Sequence, residues 1–151
     1  GDSKEYISEE GTRLFKPVPK NTLVMSFKLS IGKLAFTQCE LRTNEAIAAL
    51  PIKDETVLSK EYLFHYLSSL NWDDIAGNDE KVKGKTLNKK KLSELAVTIP
   101  PLAEQQRIVA KLDAAFAENE AVFSTTKMAI DNYTALKSSL LTRELSPSEA
   151  A

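Results

Sequence analysis

An α+β fold, a mixed-sheet domain followed by one long helix of coiled-coil type, follows from three observations in the 151 residues. Apolar residues alternate from Leu23 onward with the two-residue period of strands. Leu58 to Leu70 has the 3.6-residue period of a helix, and Leu102 to Leu145 runs without a Gly or Pro. Pro100 and Pro101 are the joint. Pro100 holds Ile99 extended and Pro101 has no amide to donate, so both suit a helix start and neither suits a helix interior. The chain therefore divides into a sheet-containing domain over 1–100 and a helix over 101–146.

Residues 1–10 are polar and end in Glu9-Glu10-Gly11, which reads as an edge strand or loop followed by a turn. Leu23, Met25, Phe27 and Leu29 fall on one face of an extended segment, with Val24, Ser26 and Lys28 on the other. After Ser30-Ile31-Gly32-Lys33 the alternation resumes at Leu34 and Phe36, so 23–38 is expected to form a hairpin. Ala46 to Leu50 is a short apolar run closed by Pro51 and fits a buried strand. Ser59 stands as a cap ahead of Tyr62, Leu63, Tyr66, Leu67 and Leu70, which predicts a helix over 60–70, and Trp72 is expected to close the core at its end. Residues 73–91 hold Gly77, Gly84 and lysines at 81, 83, 85, 89, 90 and 91, with few large apolar residues, and read as a long polar loop. Leu92, Leu95, Val97 and Ile99 then return to the core as a helical turn and a last strand over 95–99.

Glu104 falls in the first turn of the long helix, where a carboxylate suits the helix dipole. At about 1.5 Å per residue the helix is a rod of roughly 60 Å, longer than a small domain needs to cover its core. Its apolar stripe carries Ile108, Leu112, Phe116, Phe123, Ile130, Tyr133 and Leu140, a pattern that calls for a partner helix. A second copy is the expected one, giving a homodimer. Asn119 and Thr126 fall within a heptad seam, where polar residues tend to fix register. Glu104, Arg107, Lys111 and Glu118 lie outside it.

The composition excludes several classes of function. At 42% hydrophobic and 27% charged the chain is neither disordered nor a membrane span, and residues 1–20 lack the layout of a secretory signal. One cysteine, Cys39, allows no internal disulfide, so a reducing cytoplasm is the expected compartment. Cys39 is expected to be buried or half-buried. His65 is the only histidine, so a histidine metal centre or a His-based catalytic pair has little support. There is no Gly-rich phosphate loop and no paired-carboxylate motif. The net charge of −1 means that any attraction to phosphate is local.

Pro100-Pro101-Leu102-Ala103-Glu104-Gln105-Gln106-Arg107-Ile108-Val109 resembles the signature that opens the long helices of type I restriction-modification specificity subunits. The resemblance extends over Ser26–Lys33, Thr43–Ala46, Glu61–Leu67, Gly84–Leu92 and Leu136–Leu141. It implies a target recognition domain that reads one half of a bipartite sequence in double-stranded DNA, and a helix that spaces it from a second such domain. It implies no catalysis here: methylation and cleavage, with their S-adenosylmethionine, Mg and ATP, would belong to methyltransferase and restriction subunits, the expected protein partners. A complete subunit has two recognition domains and two helices, so this chain is expected to be a C-terminal part or a half-subunit lacking its opening strands.

Under that resemblance the polar loops become candidate DNA contacts: Lys28, Ser30, Lys33 and Asn44 in the first half, and Lys81, Lys83, Lys85, Thr86, Asn88 and Lys89 in the lysine run. Lysines neutralise phosphates, while Gly84, Thr86 and Asn88 let the backbone approach them. Base reading uses arginine, asparagine or glutamine in a groove, and Asn88 is the one such group between 81 and 91, so the run is expected to make more phosphate than base contacts. The alternative is a coiled-coil adaptor without DNA binding, which the near-zero net charge favours slightly.

Overall fold

Leu23 and Met25 are the point from which the sheet is built, exposed by only 1% and 0%, while the residues between and after them are half-buried. The computed structural model describes residues 8, 10–11, 15–28, 30–76, 80–81, 84–85, 87 and 89–145. Strand β1 (Leu23–Ser26) pairs antiparallel with β2 (Leu34–Phe36) on one side and with β3 (Ile47–Ala49) on the other. Met25 faces Leu34 and Ala48 across the two ladders, so β1 is central and the order is β2-β1-β3. The predicted hairpin is present, and so is the short strand, although its residues are half-buried where a buried strand was expected, since β3 lies at the edge of the sheet.

Both hairpin strands are shorter than their alternation suggested, because side chains intercept the backbone. Ser26 Oγ donates to the Lys28 carbonyl at 3.1 Å and the Ser30 amide donates to the same oxygen at 2.7 Å, which turns the chain after Ser26. At the other end, the buried Thr37 hydroxyl donates to Pro19 O at 2.6 Å and accepts from Thr22 N at 2.9 Å. That pins the end of β2 to the turn at Lys20-Asn21, where Asn21 takes a φ of 62°. Asparagine tolerates this left-handed region better than most residues.

Helix α1 (Lys60–Ser68) starts as predicted: Ser59 is extended and its hydroxyl accepts from Tyr62 N at 3.2 Å. It lays Leu63 and Leu67 on Leu23, with Leu34, Phe36, Leu50, Ile52, Trp72, Leu95 and Val97 packed around them. Leucines fully buried in this way contribute roughly 1.5 to 3 kcal/mol each, which makes this cluster the main stabilising feature of the domain.

Among its described residues, the predicted loop over 73–91 carries short elements: helix α2 (Trp72–Ala76), the paired strands β4 (Glu80–Lys81) and β5 (Gly84–Lys85), and helix α3 (Lys89–Ser93). Asn71 explains α2, since its side-chain oxygen accepts from Asp73 N and Asp74 N at 3.2 and 3.4 Å and the two acids sit in the first turn. The strand expected at 95–99 does not form. Two tyrosine hydroxyls of α1 take its carbonyls instead, Tyr62 donating to Thr98 O at 2.8 Å and Tyr66 to Ala96 O at 3.2 Å. Leu95 and Val97 still pack on the core, so the alternation reported burial and not sheet pairing.

Helix α4 (Leu102–Leu145) is the long helix, 44 residues without a break. Two compact units divide the chain, residues 1–109 and 110–151. The first holds the sheet, α1 to α3 and the opening turns of α4; the second holds the remainder of α4. With described helices of 9, 5, 5 and 44 residues, circular dichroism should read about 40% helix, above the usual range of roughly a third. A value below roughly a quarter would contradict the long helix.

Candidate nucleic-acid interface

Phe27 is where the candidate segments meet. Its amide donates to Ala46 O at 3.0 Å and its carbonyl accepts from Leu87 N at 3.0 Å. Leu87, exposed by 1%, is buried beside it. One residue past β1 thus ties three points of the chain together: the Lys28–Lys33 turn that follows it, the Thr43–Ala46 turn, and Leu87. They are far apart in sequence and adjacent in space.

In the first stretch Ser30 and Lys33 are exposed and Lys28 is half-buried, its ammonium 5.9 Å from the centre of the Phe27 ring. The turn is held by Gly32 N donating to Ser26 O and Ser26 N donating to Lys33 O, both at 2.9 Å. Gly32 has a φ of 80° and lies against the Trp72 indole, whose Nε1 donates to Leu67 O at 2.9 Å. The tryptophan that α2 carries at its start therefore seats the Lys28–Lys33 turn as well as closing the core. In the second stretch Asn44 is exposed, and its side-chain oxygen accepts from Ala46 N at 3.0 Å.

In the third stretch Lys81, Lys85 and Lys89 are placed by their backbones in β4, in β5 and at the start of α3. Lys83, Thr86 and Asn88 lie outside the described residues. The Nζ of Lys91 donates to the Ala76 carbonyl, at the end of α2, at 2.6 Å. Among the described residues no group of three His, Cys, Asp or Glu side chains is arranged to hold a metal. His65 is half-buried with its ring edge-on to Phe64, and Cys39 is exposed, against the expectation of a buried thiol. The loop between β2 and β3 carries Cys39 outside the core.

Sequence patterning missed Gln105 altogether. It lies in the first turn of α4 and is fully buried. Its side-chain oxygen accepts from Ser59 N at 2.9 Å, and its amide nitrogen donates to Val57 O and Pro100 O, each at 2.8 Å. The start of the helix is thereby fastened to the cap of α1. Beside it Arg107 donates Nε and a terminal nitrogen to the Glu104 carboxylate at 2.7 and 2.5 Å; this hydrogen bonding, then the opposite charge, raises the guanidinium pKa further.

Along α4, Ile108 and Leu112 are half-buried, while Phe116, Phe123, Ile130, Tyr133 and Leu140 are exposed, Phe123 by 66% and Tyr133 by 68%. Rings this open on one helix are unusual for a chain that works alone. No described helix is long and apolar enough to cross a membrane.

The family model described as type I restriction modification DNA specificity domain matches residues 2–126. The chain is 26% identical over 130 residues to the specificity subunit of the type I restriction enzyme EcoBI of Escherichia coli, covering 83% of this chain and 27% of that protein. It is 39% identical over 57 residues to a putative type I restriction enzyme specificity subunit of Haemophilus influenzae, covering 38% of this chain and 14% of that one. It thus spans about a quarter or less of the length of these two relatives. In fold it is similar to a chain of a solved structure concerned with complex assembly and conformational transition of the type I R-M system, with a TM-score of 0.72 at 23% identity, covering 85% of this chain and 31% of the other.

Proposed function

This chain belongs to the family of type I restriction modification DNA specificity domains, and from that premise we propose that it is a non-catalytic part of a specificity subunit, one that binds half of a bipartite DNA target and docks methyltransferase subunits. The observation that supports the proposal is the pair of backbone bonds at Phe27, to Ala46 and to Leu87, which bring the chain on either side of the Lys28–Lys33 turn, the Asn44 turn and the lysine run to one residue. Lysines there would neutralise phosphates. Asn44 spends its carbonyl oxygen on its own turn, so it would present only amide donors, whereas Asn88 would read a base edge. S-adenosylmethionine, Mg and ATP would act on the partner subunits, in the cytoplasm.

Changing Lys83, Lys85 and Lys89 together to alanine is expected to weaken binding to every duplex and to flatten the salt dependence by up to about three units, near one per lost phosphate contact. Gel shifts over a salt series, with the methyltransferase subunit present and compared with that subunit alone, read this out. Unchanged affinity and slope would make the lysine run a solvated loop, whereas a wild-type chain that adds no salt-sensitive affinity to the methyltransferase subunit would favour the adaptor that binds no DNA.

The exposed stripe of α4 is where a second copy would pair, leaving Glu104, Arg107, Lys111 and Glu118 for methyltransferase subunits. Side chains such as Phe123 and Ile130 gain roughly 1.5 to 3 kcal/mol each on full burial, enough for several of them to hold two helices together. In a longer polypeptide a second long helix would take the same place. Sedimentation at micromolar concentration should give a dimer, and Phe123→Glu with Ile130→Glu a monomer; a wild-type chain that stays monomeric with its helix intact would refute pairing between copies.

A further inference from the structure

We infer that Lys91 is a positioning residue for DNA binding and not one of the phosphate contacts: it braces the lysine run against the same helix that seats the Lys28–Lys33 turn. The inference rests on the DNA-binding proposal above. By composition Lys91 is indistinguishable from the lysines at 81, 83, 85, 89 and 90. Its side chain, however, has a described role. The ammonium is committed, at 2.6 Å, to the carbonyl of Ala76, the last residue of α2, where a cation also suits the helix dipole. Ala76 is itself 1% exposed, so the bond fixes α3 to a buried part of the domain.

The other end of α2 completes the brace. Trp72 packs on Gly32 and is held by Leu67 O, so α2 touches the Lys28–Lys33 turn at its start and Lys91 at its end. Together with the Leu87 to Phe27 bond, this gives the lysine run two attachments to the first DNA-facing turn, one direct and one through α2. A flexible run would have to be ordered each time DNA is bound, at a cost in conformational entropy. Bracing removes that cost in advance, and the benefit appears as affinity without any added phosphate contact.

The distinction is measurable because the two roles act on different quantities. A lost phosphate contact lowers the salt slope by about 0.9, while a lost brace leaves the same contacts to form at a greater free-energy cost. Lys91→Met keeps the aliphatic stem and removes the ammonium. In the complex with methyltransferase subunit it is expected to weaken duplex binding roughly tenfold, as for one hydrogen bond to a charged group, with the salt slope unchanged. Lys91→Arg, which keeps a cation for Ala76, should restore most of the affinity. In hydrogen exchange, the amides from 85 to 93 should exchange faster in Lys91→Met than in the wild type. A slope that falls by about one unit would make Lys91 a direct contact and overturn the inference, as would unchanged affinity. Wild-type protein with no salt-sensitive affinity would overturn the DNA-binding proposal and this inference with it, an outcome that needs no variant to see.

Discussion

Replacing Gln105 by alanine is expected to cost about 3 to 5 kcal/mol of folding stability, because buried polar groups left without partners each carry a penalty of roughly 1 to 3 kcal/mol. Gln105 is wholly buried and satisfies three backbone groups at once, the Ser59 amide and the Val57 and Pro100 carbonyls. Alanine frees all three and leaves a cavity the size of the side chain. Leucine fills that space but makes none of the bonds, so Gln105→Leu should be nearly as damaging. Gln105→Glu is the sharper variant. A carboxylate can accept from Ser59 N, yet its other oxygen would face two carbonyl oxygens, a repulsion that protonation relieves by letting the acid donate its one O–H to one of them. Its pKa in the folded state would therefore lie above that in the unfolded chain. The stability lost by this variant should be partly regained below the usual carboxylate range and lost again as pH rises through the raised value. Urea unfolding at two pH values tests this, and a loss for Gln105→Ala smaller than about 1 kcal/mol would show that the three bonds are replaced by water.

Gln105 also marks the boundary of what the sequence made legible. Signals confined to neighbouring residues were readable: the alternation from Leu23 to Phe36, the Ser59 cap with its helix, and the prolines that bound the 44-residue helix. Signals that depend on a partner distant in sequence were not. Gln105 looks like any polar residue in a first helical turn, and only residues 57, 59 and 100 reveal that it is core. Leu95, Val97 and Ile99 alternate as a strand would, but alternation reports which face is buried and says nothing about what takes the carbonyls, here Tyr62 and Tyr66. The run over 73–91 read as a loop because its elements are two to five residues long, although Asn71 ahead of Asp73 and Asp74 was a cap that could have been seen. For the candidate site, residue types picked out the polar segments. Their convergence on Phe27 came from two backbone bonds that no side chain announces.

Gly32→Ala is expected to destabilise the domain by about 3 kcal/mol through two effects that can be separated. The first is backbone strain: Gly32 holds a φ of 80°, where a side chain costs roughly 1 to 2 kcal/mol. The second is space, since a methyl group on Gly32 would fall on the five-membered ring of Trp72. The indole cannot simply swing aside, for it is packed on the core and its Nε1 is bonded to Leu67 O, a bond whose loss adds about 1 kcal/mol. In a Trp72→Leu background the obstruction is gone and the same substitution should cost only the strain, about 1 to 2 kcal/mol. The difference between the two backgrounds is then the coupling between turn and tryptophan. Because Trp72 is the only tryptophan, its fluorescence reports the event directly: Gly32→Ala should shift the emission to the red as the ring moves toward water. Binding to DNA should weaken as well, since Ser30 and Lys33 sit on the displaced turn. If Gly32→Ala costs the same with and without Trp72, the indole does not seat the turn, and the link from α2 to the proposed DNA-binding surface is broken at its first contact.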